Sequence, residues 1–397
     1  MINPQLTLPR QTLADVDTPF LALDIDKMDK NVARLANKLN ALGAAIRPHL
    51  KTVKSIDASE RILANKSAGA TVSTLKEAEE LAAAGFNNLL YAVGIDPSKL
   101  PRVMALRRQG VDIAILLDSE HQARAVIDAC TETDIDIPVL IEIDCDGHRG
   151  GILADDPKLL QIAAILEPRQ LLRGVLNHAG ESYSCDSPQD LIACAENERA
   201  TAVAAAKNLR KAGFSCPVVS IGSSPTAHFS ANLKGVTEVR AGVYVFFDLV
   251  MAGIGVCQIE DIALSVVTTV IGHREDKGWI MIDAGWMALS RDRGTARQKI
   301  DQGYGLVCDL AGVPIPGLIV GDVSQEHGQI SLRTDSTAQL PQLKIGTRLR
   351  ILPNHACATG AQHSQYHVFS AAQSEQKTDS ETQQLAVQAV WPRIKGW

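Results

Sequence analysis

From residue 44 to residue 248, strand-like and helix-like segments alternate, and this restricts the fold more than any other feature of the 397-residue chain. The pattern predicts strands at Ala45–His49, Ala70–Thr74, Asn88–Val93, Asp112–Asp118, Pro138–Asp144, Arg173–His178, Val218–Gly222 and Val239–Phe246. About eight strands interleaved with helices is what a closed (β/α) barrel needs. An open doubly wound sheet alternates in the same way, but the count and the length of the series favour the barrel. Leu75–Ala84 and Leu191–Ala212 are the clearest helices, rich in Ala, Leu, Glu and Lys. Pro97, Pro188 and Pro225 stand where helices would begin.

A strand at Phe20–Ile25 precedes this series. Past Asp248 the pattern changes. Ala263–Ile271, Gly278–Ile282, Leu318–Val320, Gln329–Arg333, Thr347–Leu352 and Ala386–Val390 read as short strands between turn residues, with almost no helical periodicity. The chain therefore reads as an α/β protein: a (β/α)8 TIM barrel over residues 26–250, and a mostly β domain from residues 1–25 and 251–397. Ser374–Thr382 is polar and aperiodic, which predicts an exposed loop.

Composition narrows the partners. A net charge of −6 with no strongly basic segment argues against nucleic acid. No apolar run is long enough to span a bilayer, and the N-terminus lacks the basic and apolar regions of a signal peptide. The eight cysteines are scattered with no CxxC pair, which predicts reduced thiols in a cytoplasmic protein.

Barrel enzymes gather their chemistry at the C-terminal ends of the strands, and unusual polar residues collect there. The first strand runs out through Arg47-Pro48-His49-Leu50-Lys51-Thr52. A lysine at that mouth can hold an aldehyde cofactor as a Schiff base when desolvation or a neighbouring cation lowers its pKa; a surface lysine on a loop is the plainer alternative. The fifth strand leads into Asp144-Cys145-Asp146-Gly147-His148-Arg149-Gly150-Gly151. The sixth leads into Asn177-His178-Ala179-Gly180 with Tyr183 close behind, and the eighth carries Arg240-Ala241-Gly242-Val243-Tyr244. After the seventh, Gly222-Ser223-Ser224-Pro225-Thr226 could receive a phosphate on N–H groups and hydroxyls at a helix start; an ordinary N-cap turn fits equally well.

In the β domain, His355-Ala356-Cys357 puts imidazole and thiol two residues apart, on one side of the chain if the strand Thr347–Leu352 extends that far. Both groups ligate zinc and related divalent ions. Two protein ligands would leave positions for water and substrate. A buried cysteine beside a loop histidine would look the same in sequence. Asp283-Ala284-Gly285-Trp286 reads as strand-end chemistry, and Ser324-Gln325-Glu326-His327-Gly328 as a turn or a site rim. Arg291-Asp292-Arg293 reads as a solvated loop, or as a carboxylate-recognising segment.

Taken in order, Arg47–Thr52, Asp146–Arg149, Gly222–Thr226, Arg240–Tyr244 and Pro353–Thr359 resemble the D-serine dehydratase and D-threonine aldolase family. These are fold-type III pyridoxal-phosphate proteins whose barrel is related to that of alanine racemase. The resemblance covers nearly the whole chain. It implies that Lys51 carries pyridoxal 5'-phosphate and acts as the base at Cα. Gly222, Ser223, Ser224, Gly242 and Tyr244 would surround the cofactor phosphate. Arg149 would lie near the ring hydroxyl, and Arg240 takes the place facing the pyridine nitrogen. Tyr183 and His178 would border the substrate. His355 and Cys357 would bind one divalent metal (zinc, manganese, cobalt or magnesium), a Lewis acid for the departing β-hydroxyl.

The resemblance further implies a small D-β-hydroxy amino acid as partner and a homodimer as the assembly. D-Threonine aldolases tend to carry an acidic residue where this chain has Cys357, which favours dehydration over retro-aldol cleavage. Arg240–Met251 and Asp283–Gln298 look closest to members acting on D-threo-3-hydroxyaspartate, giving oxaloacetate and ammonia, with D-serine to pyruvate as a second reaction. The alternatives are a retro-aldol lyase, an amino-acid racemase and a non-catalytic cofactor carrier. A racemase needs a second base that the sequence does not offer, and carriers are usually a barrel alone.

Overall fold

Val, Ile and Leu fill the short strands of the first region because a parallel sheet is covered on both faces. The computed structural model describes residues 11–334, 336–372 and 385–397. After β1 (Phe20–Asp24) come β2 (Ala45–Ile46), β3 (Ala70–Val72), β4 (Asn88–Gly94), β5 (Asp112–Leu117), β6 (Val139–Ile143), β7 (Leu172–Asn177), β8 (Val218–Ile221) and β9 (Glu238–Val239). The last eight form one parallel sheet in the order β2-β9-β8-β7-β6-β5-β4-β3. The ring closes at the first of them. On one side the N–H groups of Arg47 and His49 donate to Val239 O (2.9 Å) and Ala241 O (2.7 Å). On the other, Leu50 N–H donates to Thr71 O and Thr71 N–H to Pro48 O, both at 2.8 Å. Lys51 follows directly, at the C-terminal mouth of the barrel.

Helices stand between the strands, and their starts are written in side chains. Thr74 and Glu77 cap Leu75–Ala83 reciprocally, Ser119 caps Glu120–Thr133, and Ser187 caps Pro188–Lys211. Pro97, Pro188 and Pro225 sit in the first turns of their helices. Leu90, Ala114, Leu116, Leu140 and Leu176, from four adjacent strands, pack as one buried cluster. Between β7 and β8 the backbones come so close that a Cβ on Gly174 would lie 2.0 Å from Val218 O. The predicted strand Val239–Phe246 is cut short: regular strand ends at Val239, backbone hydrogen bonds carry on through Arg240 N–H and Ala241 O, and Val243–Val245 forms a 3-10 turn.

The other unit comprises the described parts of Met1–Lys30 and Cys257–Pro392, with Phe246–Gly253. Its strands are β1, β10 (Leu264–Arg274), β11 (Trp279–Ile282), β12 (Leu306–Cys308), β13 (Pro314–Val323), β14 (Gly328–Leu332), β15 (Arg348–Leu352), β16 (Gln365–Phe369) and β17 (Val387–Pro392). Six of them close an antiparallel barrel, β10-β11-β14-β13-β12-β15 and back to β10. Strand β10 serves two neighbourhoods. Its first half pairs with β1 and β15, and beyond a register shift at Val270/Gly272 its second half pairs with β11. β1, β16 and β17 extend the sheet from there, and Leu13, Val16, Phe20, Ala22, Val267, Phe369 and Leu385 bury one apolar cluster.

Strands β12 and β16 have no counterpart in the sequence prediction; β12 is only three residues long, too short for alternation to show. The predicted loop Ser374–Thr382 lies outside the described residues. Among the described residues no helix is long and apolar enough to cross a membrane. All eight cysteines are free thiols.

Candidate functional site

The barrel mouth brings the motif residues together by backbone geometry. Gly222, just past β8, adopts φ +139°, and a Cβ there would meet Arg240 O at 2.0 Å, so only glycine lets these two strand ends approach. A Cβ on Gly242 would sit 3.0 Å from His49 O and from Thr52 Oγ1, which ties the end of the eighth strand to the first. Ser223 caps the helix Ser224–Phe229: its Oγ accepts from Thr226 N at 3.2 Å and lies 2.9 Å from Ser182 Oγ. Ser224 Oγ accepts from Tyr244 N at 3.2 Å. The Tyr244 hydroxyl is fully buried with no hydrogen-bond partner among the described residues. A buried phenol left unsatisfied is costly unless a ligand supplies the acceptor. The hydroxyls of Ser223, Ser224 and Tyr244 are the kind of groups that hold a phosphate.

His178 Nδ1 lies 2.9 Å from Gly222 O. A carbonyl only accepts, so Nδ1 carries the proton and the lone pair resides on Nε2. Burial pulls the His178 pKa down to about 3, and the nearby cations Arg149, Lys51 and Arg240 push the same way. Burial and then Lys51 hold His49 well below its ordinary value too. Both imidazoles are neutral at pH 7. Arg240 is buried, donates from Nε to Ser220 Oγ at 3.0 Å, and bonds Asn177 O through the guanidinium. Burial lowers it to about 10, so it remains cationic. Arg149 Nε is 3.9 Å from Glu142 Oε1, and the Tyr183 ring centroid is 6.2 Å from that of His178.

The β unit holds a second cluster. Pro353 follows the last residue of β15, and the chain turns. His355 is the N-cap of the short helix Ala356–Gln362 and Cys357 lies in its first turn, so the two are not on a strand extension as the spacing predicted. Asp248 causes this: its Oδ2 accepts the first helical N–H, from Ala356, at 2.9 Å. Asn354 then anchors the neighbouring loop, donating to Asp292 O at 3.1 Å and to Gly303 O at 2.7 Å. That places Asp292 Oδ2 2.8 Å from His355 Nδ1. Burial opposes charge on His355, but hydrogen bonds to Asp292 and Cys357 outweigh it and raise its pKa. A carboxylate on one imidazole nitrogen with a thiol alongside is a donor set that fits a divalent cation. Among the described residues no group of three or more His, Cys, Asp or Glu side chains could hold a metal.

The family model for the alanine racemase N-terminal domain matches residues 23–250, and that for a putative serine dehydratase domain matches residues 263–369. The chain is 51% identical over 393 residues to D-threo-3-hydroxyaspartate dehydratase of Delftia sp. (strain HT23), spanning 98% of this chain and 100% of that one. The chain belongs to the D-serine dehydratase and D-threonine aldolase family. A D-serine dehydratase of Dictyostelium discoideum is 30% identical over 380 residues, 90% of this chain and 94% of that one. A cysteine-to-alanine variant of D-threo-3-hydroxyaspartate dehydratase, solved in a metal-free form, matches with a TM-score of 0.92 at 50% identity, covering 98% of this chain and 100% of that one.

Several residues that shape this family member's clusters carry no motif. Glu198 is fully buried on the helix Pro188–Lys211 and accepts the N–H groups of Ala179 and Gly222. Its spacing from Leu191, Ala195, Ala202 and Ala205 puts it on the buried face, a signal the sequence did contain. Asp248 had no comparable signal. The charge run at 291–293 is not a solvated loop: Asp292 holds His355, and Arg293 pairs with Asp301 at 2.6 Å and stacks over Tyr304. His327 lies in an exposed turn between β13 and β14, and Asp283 accepts from Thr268 Oγ1 and Thr269 N, which is strand-end chemistry.

Proposed function

We propose that the chain is a pyridoxal-phosphate- and divalent-metal-dependent dehydratase of D-β-hydroxy amino acids. Its preferred substrate would be D-threo-3-hydroxyaspartate, converted to oxaloacetate and ammonia, with D-serine to pyruvate as a secondary reaction. The observation that carries this reading is the His355–Asp292 pair beside Cys357, in a chain half identical from end to end with an enzyme of that name. The metal-free cysteine variant of such an enzyme supports a metal role for a cysteine there. In this reading residues 26–250 serve the cofactor, and residues 1–25 and 251–397 serve the metal.

Bound pyridoxal phosphate would supply the electron sink for a negative charge at Cα, and a bound divalent cation would supply Lewis acidity at the β-oxygen. Lys51 would hold the cofactor aldehyde through Nζ, and the same amine would take the Cα proton. Gly222, Ser223, Ser224, Gly242 and Tyr244 would hold the phosphate, and Arg149 the ring hydroxyl. Arg240, cationic at neutral pH, has no acceptor to offer a protonated pyridine nitrogen. A cofactor bound there would be a weaker electron sink, and His355 and Cys357 would hold the metal that supplies the Lewis acidity. His178, through its Nε2 lone pair, and Tyr183 border the substrate. The Cα–H and Cβ–O bonds break, water leaves, and the released enamine takes up water to give the 2-oxo acid and ammonia. A homodimer, supported by the resemblance, and a cytoplasmic location, supported by the eight free thiols, belong to the same proposal.

A product assay with added pyridoxal phosphate tests it, using D-threo-3-hydroxyaspartate, D-serine and D-threonine with and without EDTA. EDTA-sensitive 2-oxo acid and ammonia, fastest from hydroxyaspartate, is the expected result. Glycine with an aldehyde would instead place the chain functionally with the aldolases.

A further inference from the structure

Glu198 sits on the inward face of a 24-residue helix, among Leu191, Ala195, Ala202 and Ala205. A carboxylate buried there needs dedicated donors. Its Oε1 accepts the Ala179 N–H at 2.9 Å and the Gly222 N–H at 3.0 Å. Ala179 is the residue after His178, and Gly222 supplies the carbonyl that takes the His178 Nδ1 proton. One oxygen therefore grips both ends of the hydrogen bond that orients the imidazole. Asn177 Nδ2 closes the frame by donating to Glu198 O at 2.8 Å. Gly222 has no room to drift toward the eighth strand, because Arg240 O is already in contact with it.

We propose that Glu198 is a positioning residue that holds His178 in its Nδ1–H tautomer and so keeps the Nε2 lone pair available to the substrate. The inference rests on the reading of His178 as a substrate-bordering group. A neutral imidazole has two tautomers of similar energy, and the partner at one nitrogen decides which is populated. Here that partner is a backbone carbonyl, and a backbone carbonyl holds a tautomer only while its own position is fixed. Glu198 supplies that fixation at the exits of β7 and β8 together. The decisive property is the reach of the oxygen, with its charge secondary.

Two conservative variants separate reach from charge in the full-length chain loaded with pyridoxal phosphate. E198D keeps the charge and withdraws the oxygen by one methylene; E198Q keeps an oxygen at full reach and removes the charge. Histidine-selective NMR reads the His178 tautomer, with its signal identified by loss in His178→Gln. E198D is expected to lose the pure Nδ1–H signature and about 10²-fold in kcat, the scale of a small misplacement near the chemistry, with KM changed less than about threefold. E198Q is expected to keep the signature and to recover kcat to within about fivefold, a small fraction of that loss. An unchanged tautomer in E198D, or a lost one in E198Q, overturns the proposal. Cofactor absorbance reports folding; were E198D unfolded, the E198Q signature alone would decide, retention supporting the proposal and loss overturning it. The tautomer readout needs no turnover. A chain inactive on every hydroxy amino acid but showing this NMR pattern would sink the functional reading and keep the positioning role.

Discussion

Asp292 Oδ2 and His355 Nδ1 are 2.8 Å apart, so the carboxylate takes one imidazole nitrogen and turns the other toward whatever the cluster binds. This is how carboxylates orient and strengthen metal-ligating histidines. Asp292→Ala should therefore weaken divalent-metal affinity by about 10–100-fold while leaving cofactor binding intact. Competition with a chromophoric chelator measures it. Unchanged affinity would mean that the pair is only a surface ion pair.

The proposed function gives Cys357 and Lys51 different steps. Cys357→Ala should remove metal-dependent elimination by about 10²-fold or more, the order of loss seen when a group that stabilises developing negative charge is removed. The visible absorbance of the cofactor on Lys51 should remain. Recording the spectrum and 2-oxo acid release on the same sample checks both. Loss of both together would contradict the division of roles.

His178 gives stability a pH dependence of known sign. Its pKa falls from an ordinary 6.5 to about 3 on folding. Between these values the unfolded chain binds the proton and the folded chain does not, so proton uptake favours unfolding. The contribution is complete above pH 6.5 and is lost as pH drops toward about 3. The stability difference between wild type and His178→Gln, from urea midpoints, should thus shift against the wild type between pH 7 and pH 4. A difference constant across that range would show that the imidazole is not desolvated.

Gly174 tests the barrel itself. A Cβ there would fall 2.0 Å from Val218 O, a contact with backbone on both sides and no flexible side chain to yield. Gly174→Ala should destabilise by about 1–3 kcal/mol or more, as overpacking does. Denaturant titration with the cofactor bound would show it as a lower midpoint at similar slope.

The eight parallel strands, the helix starts at Pro97, Pro188 and Pro225, and most of the antiparallel strands were legible in the sequence. Each is set by neighbours a few residues away: alternation of apolar residues, or a proline in a first turn. The motif runs around Lys51, His178, Gly222 and Arg240 were legible for a related reason. They lie at strand ends, and a parallel barrel gathers all its strand ends at one mouth. What local pattern could not show was pairing across distance. The helix that replaces an extended His355–Cys357 segment depends on Asp248, more than a hundred residues upstream of its partner Ala356. Asp292 looked like part of a solvated charge run until Asn354 folded its loop against His355.

The sequence by itself determined the barrel and the lysine at its mouth, because periodicity and residue chemistry are local properties, while the family resemblance marked His355 and Cys357 as a candidate metal pair. Only the tertiary structure decided which carboxylates serve them. Asp292 and Glu198 act through hydrogen bonds to groups 63 and 19–24 residues away, and such contacts exist only after the chain has closed on itself.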